Sequence, residues 1–118
     1  GGLSARQSTF FGMRNSAIVH MTKTLSDQLG SEGITVNVIH PGSTETESVL
    51  ERQEKRAAEQ KISLKEFQEI NASKVAIKRI IRPEELADVV CFLASPKAEC
   101  ITGESIAAGG GSLGAVFV

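Results

Sequence analysis

The chain has 118 residues and a formal net charge of −1, with 41% hydrophobic and 23% charged residues. That is enough for one small globular domain, and it gives no electrostatic reason to expect a nucleic-acid partner or an anionic membrane surface. No apolar run is long enough to cross a bilayer. The two cysteines, Cys91 and Cys100, do not make a disulfide framework. Both are expected to be reduced in a cytoplasmic setting, Cys91 as a small core residue of a helix.

Residues 1–9 are small and polar and read as loop. A long amphipathic helix follows over about Phe10 to Leu29. Its apolar residues Phe11, Ile18, Met21, Leu25 and Leu29 fall on one face. Met13, Ala17 and Val19 widen the stripe, which predicts burial on two sides. Gly30 is the expected stop, and Ser31-Glu32-Gly33 the turn after it. Ile34 to Ile39 reads as a short parallel strand buried on both faces, ended by Pro41-Gly42. The remainder offers one more strand, near Ser105 to Ala108. Two strands do not make a stable parallel sheet alone, so the chain is expected to be a piece of something longer or heavily partnered. Its opening residues, Gly1-Gly2-Leu3, agree with a piece.

Thr44 to Glu47 has the spacing of a capping box, with Thr44 as N-cap. The segment after it, SVLERQEKRAAEQK, has a thin apolar face of Val49, Leu50 and Ala57 and reads as a solvated helix, with Glu51 and Lys55 spaced to pair. A second box, Ser63 to Glu66, opens a short helix that turns Leu64, Phe67 and Ile70 inward. Pro83 and the pair Glu84-Glu85 suit the first turn of another helix. There Leu86, Val89, Val90 and Leu93 share a face that Phe92 widens, and Ser95-Pro96 ends it.

Three blocks in this order resemble the short-chain dehydrogenase/reductase family. There a helix opening with Y-x-x-x-K leads through G-I-x-V-N to a strand ending P-G-x-I-x-T, followed by P-E-E-I-A … F-L-A-S and I-T-G-x-x-x-x-V-D-G-G. Here the blocks read FFGMRN … GITVNVIHPGSTET, PEELADVVCFLAS and ITGESIAAGGG. The resemblance implies an α/β fold: the whole of residues 1–118 would be the C-terminal portion of a doubly wound, Rossmann-like parallel-sheet subunit. Residues 44–74 would be its substrate lid. The long helix over Phe10–Leu29, with the C-terminal tail, would form a homodimer or homotetramer interface. The cofactor would be NAD or NADP. The phosphate-binding glycines belong to a half that these residues do not contain, so the chain alone is expected not to hold a dinucleotide.

The departures from the family pattern bear on the chemistry. The Tyr position is Phe11 and the Lys position is Asn15, and the chain has no Tyr at all. In the family the Tyr hydroxyl is the general acid/base. The Lys one turn on lowers its pKa and holds the nicotinamide ribose. Phe11 has no proton to move, and Asn15 brings a hydrogen bond without charge. Loss of a general acid removes about 10²–10⁴-fold in rate, so the active site is expected to be degenerate. Neither Ser4 nor Ser8 has the spacing of the family's catalytic serine. The cofactor-binding candidates are Asn15, Pro41, Gly42, Ser43, Thr44 and Thr46, the loop residues facing the nicotinamide end. The usual Val-Asp-Gly-Gly is Ala108-Gly109-Gly110-Gly111.

Two further patterns are discounted. Gly109 to Gly114 satisfies G-x-G-x-x-G, but a phosphate site requires a helix opening after the glycines, and only Ala115 to Val118 follow, an apolar tail expected to pack on a neighbour. His20 and His40 have no metal-ligand spacing and are read as structural or solvated. The leading reading is an NAD(P)-dependent oxidoreductase with a degenerate site. The alternatives are a non-catalytic assembly module of the same fold and, last, an independent helical module.

Overall fold

A computed structural model describes residues 5–42, 44, 46–111 and 113, and for residues 5–12 the backbone alone. The expectations for residues 1–4, Ser43 and the tail 115–118 lie outside the described residues. The elements are α1 (Ala5–Leu29), β1 (Val38–His40), α2 (Glu47–Glu59), α3 (Leu64–Ser73), α4 (Pro83–Leu93) and β2 (Ser105–Ala107). Short 3₁₀ turns lie at Gly30–Glu32 and Pro96–Ala98. β1 and β2 pair. Their hydrogen-bond partners ascend together, Val38 with Glu104 and then His40 with Ala108, which makes the pairing parallel. The chain divides into two compact units. One comprises Gly1–Ile39 and Leu93–Ile106, the other His40–Phe92 and Ala107–Val118.

In the first unit α1 begins at Ala5, so residues 5–9 are helix and not loop; Ala5, Arg6 and Gln7 are strong helix formers. At its other end the α-helix stops at Leu29, as expected, and Gly30 opens a 3₁₀ turn. The left-handed residue is Gly33 (φ 78°), whose N–H donates to Gly30 O at 3.1 Å. The described residues of α1 that are buried are Thr22 and Ser26, while Met13, Ile18 and Met21 of the expected apolar stripe are exposed. Small hydroxyl side chains win that place because the covering backbone comes very close: a Cβ on Gly103 would lie 2.8 Å from Ser26 Oγ. Ser26 Oγ in turn is 2.9 Å from Thr102 Oγ1.

The strand expected over Ile34–Ile39 is shorter and lies later, at Val38–His40. Side chains begin the pairing before the backbone ladder does. Val36 N–H donates to Thr102 Oγ1 at 3.0 Å, and Gly103 N–H donates to Val36 O at 2.7 Å. Asn37 donates from Nδ2 to Ile101 O at 3.0 Å and accepts from Glu104 N–H at Oδ1, 3.1 Å. Burial on both faces is not found: Ile34 is 45% exposed and Val36 to His40 are half-buried. A central strand needs two neighbours, and the described residues supply one.

In the second unit α2 packs on α3. Ala57, Gln53 and Phe67 are buried in their contact, and Gln68 Nε2 donates to Gln53 Oε1 at 3.3 Å. So α2 is half-packed rather than simply solvated. Its N-cap is Thr46, two residues later than expected, with Oγ1 accepting from Val49 N–H; Thr44 is drawn instead into a parallel bridge with Ile81. α2 closes with Ile62 N–H on Ala57 O and Lys61 N–H on Ala58 O, and Lys61 takes the left-handed place (φ 58°) usual for glycine. Ser63 caps α3 as expected, accepting from Glu66 N–H at 3.1 Å, but Ile70 faces outward.

α4 starts at Pro83 as expected, yet its apolar face is not buried. Val90 is 48% exposed, Phe92 47%, and Cys91 is exposed rather than a core residue. The described residues form too small a sheet to cover it. The ion pairs among the described residues are Lys23–Asp27, Arg79–Glu85 and Arg82–Glu85, so the spacing of Glu51 and Lys55 does not produce one.

Candidate functional site

The loop leaving β1 is shaped by two glycines packed backbone to backbone. Gly42 has φ +65°, a left-handed conformation natural to glycine. A Cβ there would lie 3.0 Å from Gly109 Cα, and a Cβ on Gly109 would lie 3.2 Å from both Gly42 Cα and Pro41 O. The family's Asp position, Gly109, is thus filled by the only residue that lets the two segments touch without a shift. His40 O, accepting from Ala108 N–H at 2.9 Å, aligns them.

The glycines beyond do not form a phosphate loop. Gly110 and Gly111 offer their carbonyls to Ile77 and Ala76 N–H, at 3.1 and 2.7 Å. Side chains at either would collide with Ile77 and Ala76. These glycines serve backbone packing, and no helix opens directly after them among the described residues.

Among the sequence-based candidates of this loop, Pro41 and Gly42 are exposed and Thr44 is half-buried. The Thr44 hydroxyl is buried and, among the described residues, has no hydrogen-bond partner. Such a group costs free energy unless something pairs with it. Thr46 is exposed at the start of α2, where its oxygen is the cap. Ser43 lies outside the described residues. Gly42 and Thr44 open on a cleft of about 500 Å³, walled by Val49, Arg52, Gln53 and Arg56 of α2, Phe67 and Asn71 of α3, and Lys74, Val75 and Ile80. The two helices expected to cover a substrate are therefore the walls of a concavity that begins at the Pro-Gly loop. Arg52, Arg56 and Lys74 were not foreseen from the sequence. Residues 49, 52, 53 and 56 have the spacing of one helix face, which was the available signal.

A second cleft of about 610 Å³ adjoins it, sharing Gln53 and Ile80 and adding Lys65, Gln68, Glu69, Ala72, Lys78, Arg79 and Arg82. At its rim Arg79 makes a two-pronged ion pair with Glu85, Nη1 to Oε2 at 2.8 Å and Nη2 to Oε1 at 2.5 Å. Arg82 N–H also donates to Glu85 at 3.0 Å. Hydrogen bonding from Arg79, then from the Arg82 backbone, holds the Glu85 carboxyl down at about 2 and raises the Arg79 guanidinium.

The other two candidates lie in the first unit. Asn15 is exposed on α1, and Phe11 stands one helical turn before it, its side chain outside the described residues. His20 is exposed and His40 half-buried. No group of three His, Cys, Asp or Glu capable of holding a metal exists among the described residues. Both cysteines are free, and no helix among the described residues is long and apolar enough to cross a membrane.

Known proteins similar to this chain include reductases and dehydrogenases. A family model described as enoyl-(acyl carrier protein) reductase matches residues 3–112. The NADPH-dependent reductase BacG of Bacillus subtilis is 38% identical over 101 residues, which are 86% of this chain and 39% of that protein. A short-chain dehydrogenase family protein from Francisella tularensis superposes with a TM-score of 0.79 at 31% identity, over 89% of this chain and 43% of the other. L-sorbose reductase from Gluconobacter frateurii, solved with NADPH and L-sorbose, gives 0.77 at 28% identity, over 86% and 39%. The chain spans about two fifths of the length of these relatives. The order of motifs, the parallel strand pair and these matches agree: the chain belongs to the short-chain dehydrogenase/reductase family, with the fold of the C-terminal portion of its Rossmann-like subunit.

Proposed function

We propose that this chain is the C-terminal portion of an NAD(P)-dependent oxidoreductase whose proton-transfer machinery is degenerate. The observation that carries the cofactor assignment is the loop at Pro41–Thr46. It combines a glycine with no room for a side chain and a buried threonine hydroxyl with no partner among the described residues, both opening on one cleft. That combination suits a flat amide-bearing ring. Gly42 gives close backbone approach, and the Thr44 hydroxyl gives a hydrogen bond that the protein itself leaves unmade. The nicotinamide, when bound, supplies or accepts the hydride. The relatives' NADPH dependence supports the same reading.

Phe11 and Asn15 set the rate. A phenyl ring donates no proton, and a neutral amide neither lowers a neighbouring pKa nor supplies charge to a ribose. Carbonyl reduction is therefore slower by about 10²–10⁴-fold than with a positioned acid. The test is direct titration with NADPH of the whole oxidoreductase that contains this chain, since the chain alone is expected not to hold a dinucleotide. Binding that weakens about tenfold in Thr44→Val, the loss of one hydrogen bond to a buried group, agrees with the assignment. Unchanged affinity in that variant removes Thr44 from the cofactor site.

A second reading rests on the exposed Met13, Ile18 and Met21 of α1. The protein would then be a pseudoenzyme that assembles as a homodimer or homotetramer through this helix. Complete absence of NADPH binding by the whole protein would favour it.

A further inference from the structure

We propose that the cleft walled by α2 and α3 takes a substrate bearing a phosphate or carboxylate, held by Arg52, Arg56 and Lys74; this deepens the oxidoreductase reading by naming a substrate class. Among the described residues the lining of this cleft contains these three cations and no carboxylate. Composition does not force that outcome. α2 carries Glu47, Glu51, Glu54 and Glu59 as well as its two arginines. Both arginines lie on the face that includes Val49 and Gln53; Glu47, Glu51 and Glu54 lie off it, and Glu59, on the last turn of the helix, is not among the residues lining the cleft. The part of the helix that lines the cleft is therefore positive.

Among the described residues none of the three cations is in an ion pair; those pairs are formed elsewhere, by Lys23, Arg79 and Arg82. The Arg52 Nε donates to Ser48 O at 3.4 Å, which steadies the base of the side chain and leaves its terminal nitrogens uncommitted. Gln53, only 8% exposed, adds a polar amide to the same wall. A guanidinium presents a fork that matches two oxygens of a phosphate or carboxylate, and like charges lining one concavity focus their field into it. At about 500 Å³ the space exceeds that of a single inorganic ion, so the charged group is expected to be one end of a longer molecule. Its uncharged part would lie along Val49, Phe67 and Val75.

A dinucleotide also carries phosphates, and the experiment separates the two sources. Calorimetric titration of the protein with dihydroxyacetone phosphate, with dihydroxyacetone and with NADPH is repeated on Arg52→Gln/Arg56→Gln and on the charge-keeping Arg52→Lys/Arg56→Lys. Both arginines are exposed, so the fold tolerates the changes. The expected result is at least tenfold tighter binding of the phosphate ester than of the neutral ketone. That preference is lost in the glutamine variant and largely kept in the lysine variant, with NADPH affinity unchanged. Equal affinity for ester and ketone, or no measurable binding of the ester, overturns the proposal. An equal loss for NADPH and ester overturns it too, by assigning the cations to the cofactor. Ester binding that depends on the arginines, in a protein that does not bind NADPH, upholds the anion site while removing the cofactor reading.

Discussion

The two units use the same kinds of residue in opposite ways. In the first, the hydroxyls and amides of Ser26, Thr102 and Asn37 bind one another and the backbone of the paired strands. In the second, among the described residues, the Thr44 hydroxyl is buried without a partner, and Arg52, Arg56 and Lys74 line a cleft with no carboxylate. Satisfied polar groups hold a fold, and polar groups left over mark where it meets something else. The family's motif residues divide along that line. Val-Asn and Ile-Thr-Gly are scaffold, whereas in the proposed function Pro-Gly and Thr44 belong to a binding edge.

The largest effect should come from breaking the scaffold. Gly103 has φ +72°, and a Cβ there would sit 2.8 Å from Ser26 Oγ. Gly103→Ala should destabilise by about 3 kcal/mol, from left-handed strain and overlap together, read as a fall in the unfolding midpoint. Adding Ser26→Ala should recover part of it. The binding edge should respond in the other direction. Thr44→Val removes a buried, unpaired hydroxyl and should raise the stability of the ligand-free protein by about 1 kcal/mol, although it weakens NADPH. Loss of stability in that variant would place Thr44 with the scaffold.

The smallest effect concerns acid. The folded-state carboxyl of Glu85, near 2, lies below its ordinary 4.5. Its contribution is present above pH 4.5 and is lost as pH falls from there through 2. Glu85→Gln should flatten the acid-unfolding curve in that window by less than one proton, with a small loss of stability at pH 7 and none below about pH 2. Salt should erase the difference, because Arg79 and Arg82 are exposed.

The order of elements was readable because capping and punctuation are local. Ser63, Pro83 and Ser95-Pro96 act within one turn, and the structure has them where the sequence put them. Burial was not readable. Apolar spacing along α1 and α4 shows which face wants cover, and only the neighbouring elements decide whether it is covered. Met21, Val90 and Phe92 remain exposed for that reason. The shift of the α2 cap from Thr44 to Thr46 has the same origin, since the bridge to Ile81 joins residues 37 positions apart and no local rule contains it. At the candidate site, Gly42 and Thr44 were named through the motif, and both line the cleft. The cleft-facing arginines were hidden in a charge run whose two faces differ only once the helix is placed.

In the proposed function Phe11 and Asn15 leave this member of the family without a working acid. The most direct measurement is NADPH oxidation by the protein with a panel of ketones, including a phosphate-bearing one, in the wild type and in Phe11→Tyr/Asn15→Lys. The account predicts turnover near background in the wild type and a rise of about 10²-fold or more in the double variant. Fast turnover by the wild type, unchanged or lowered in the variant, would contradict it and require a different proton donor.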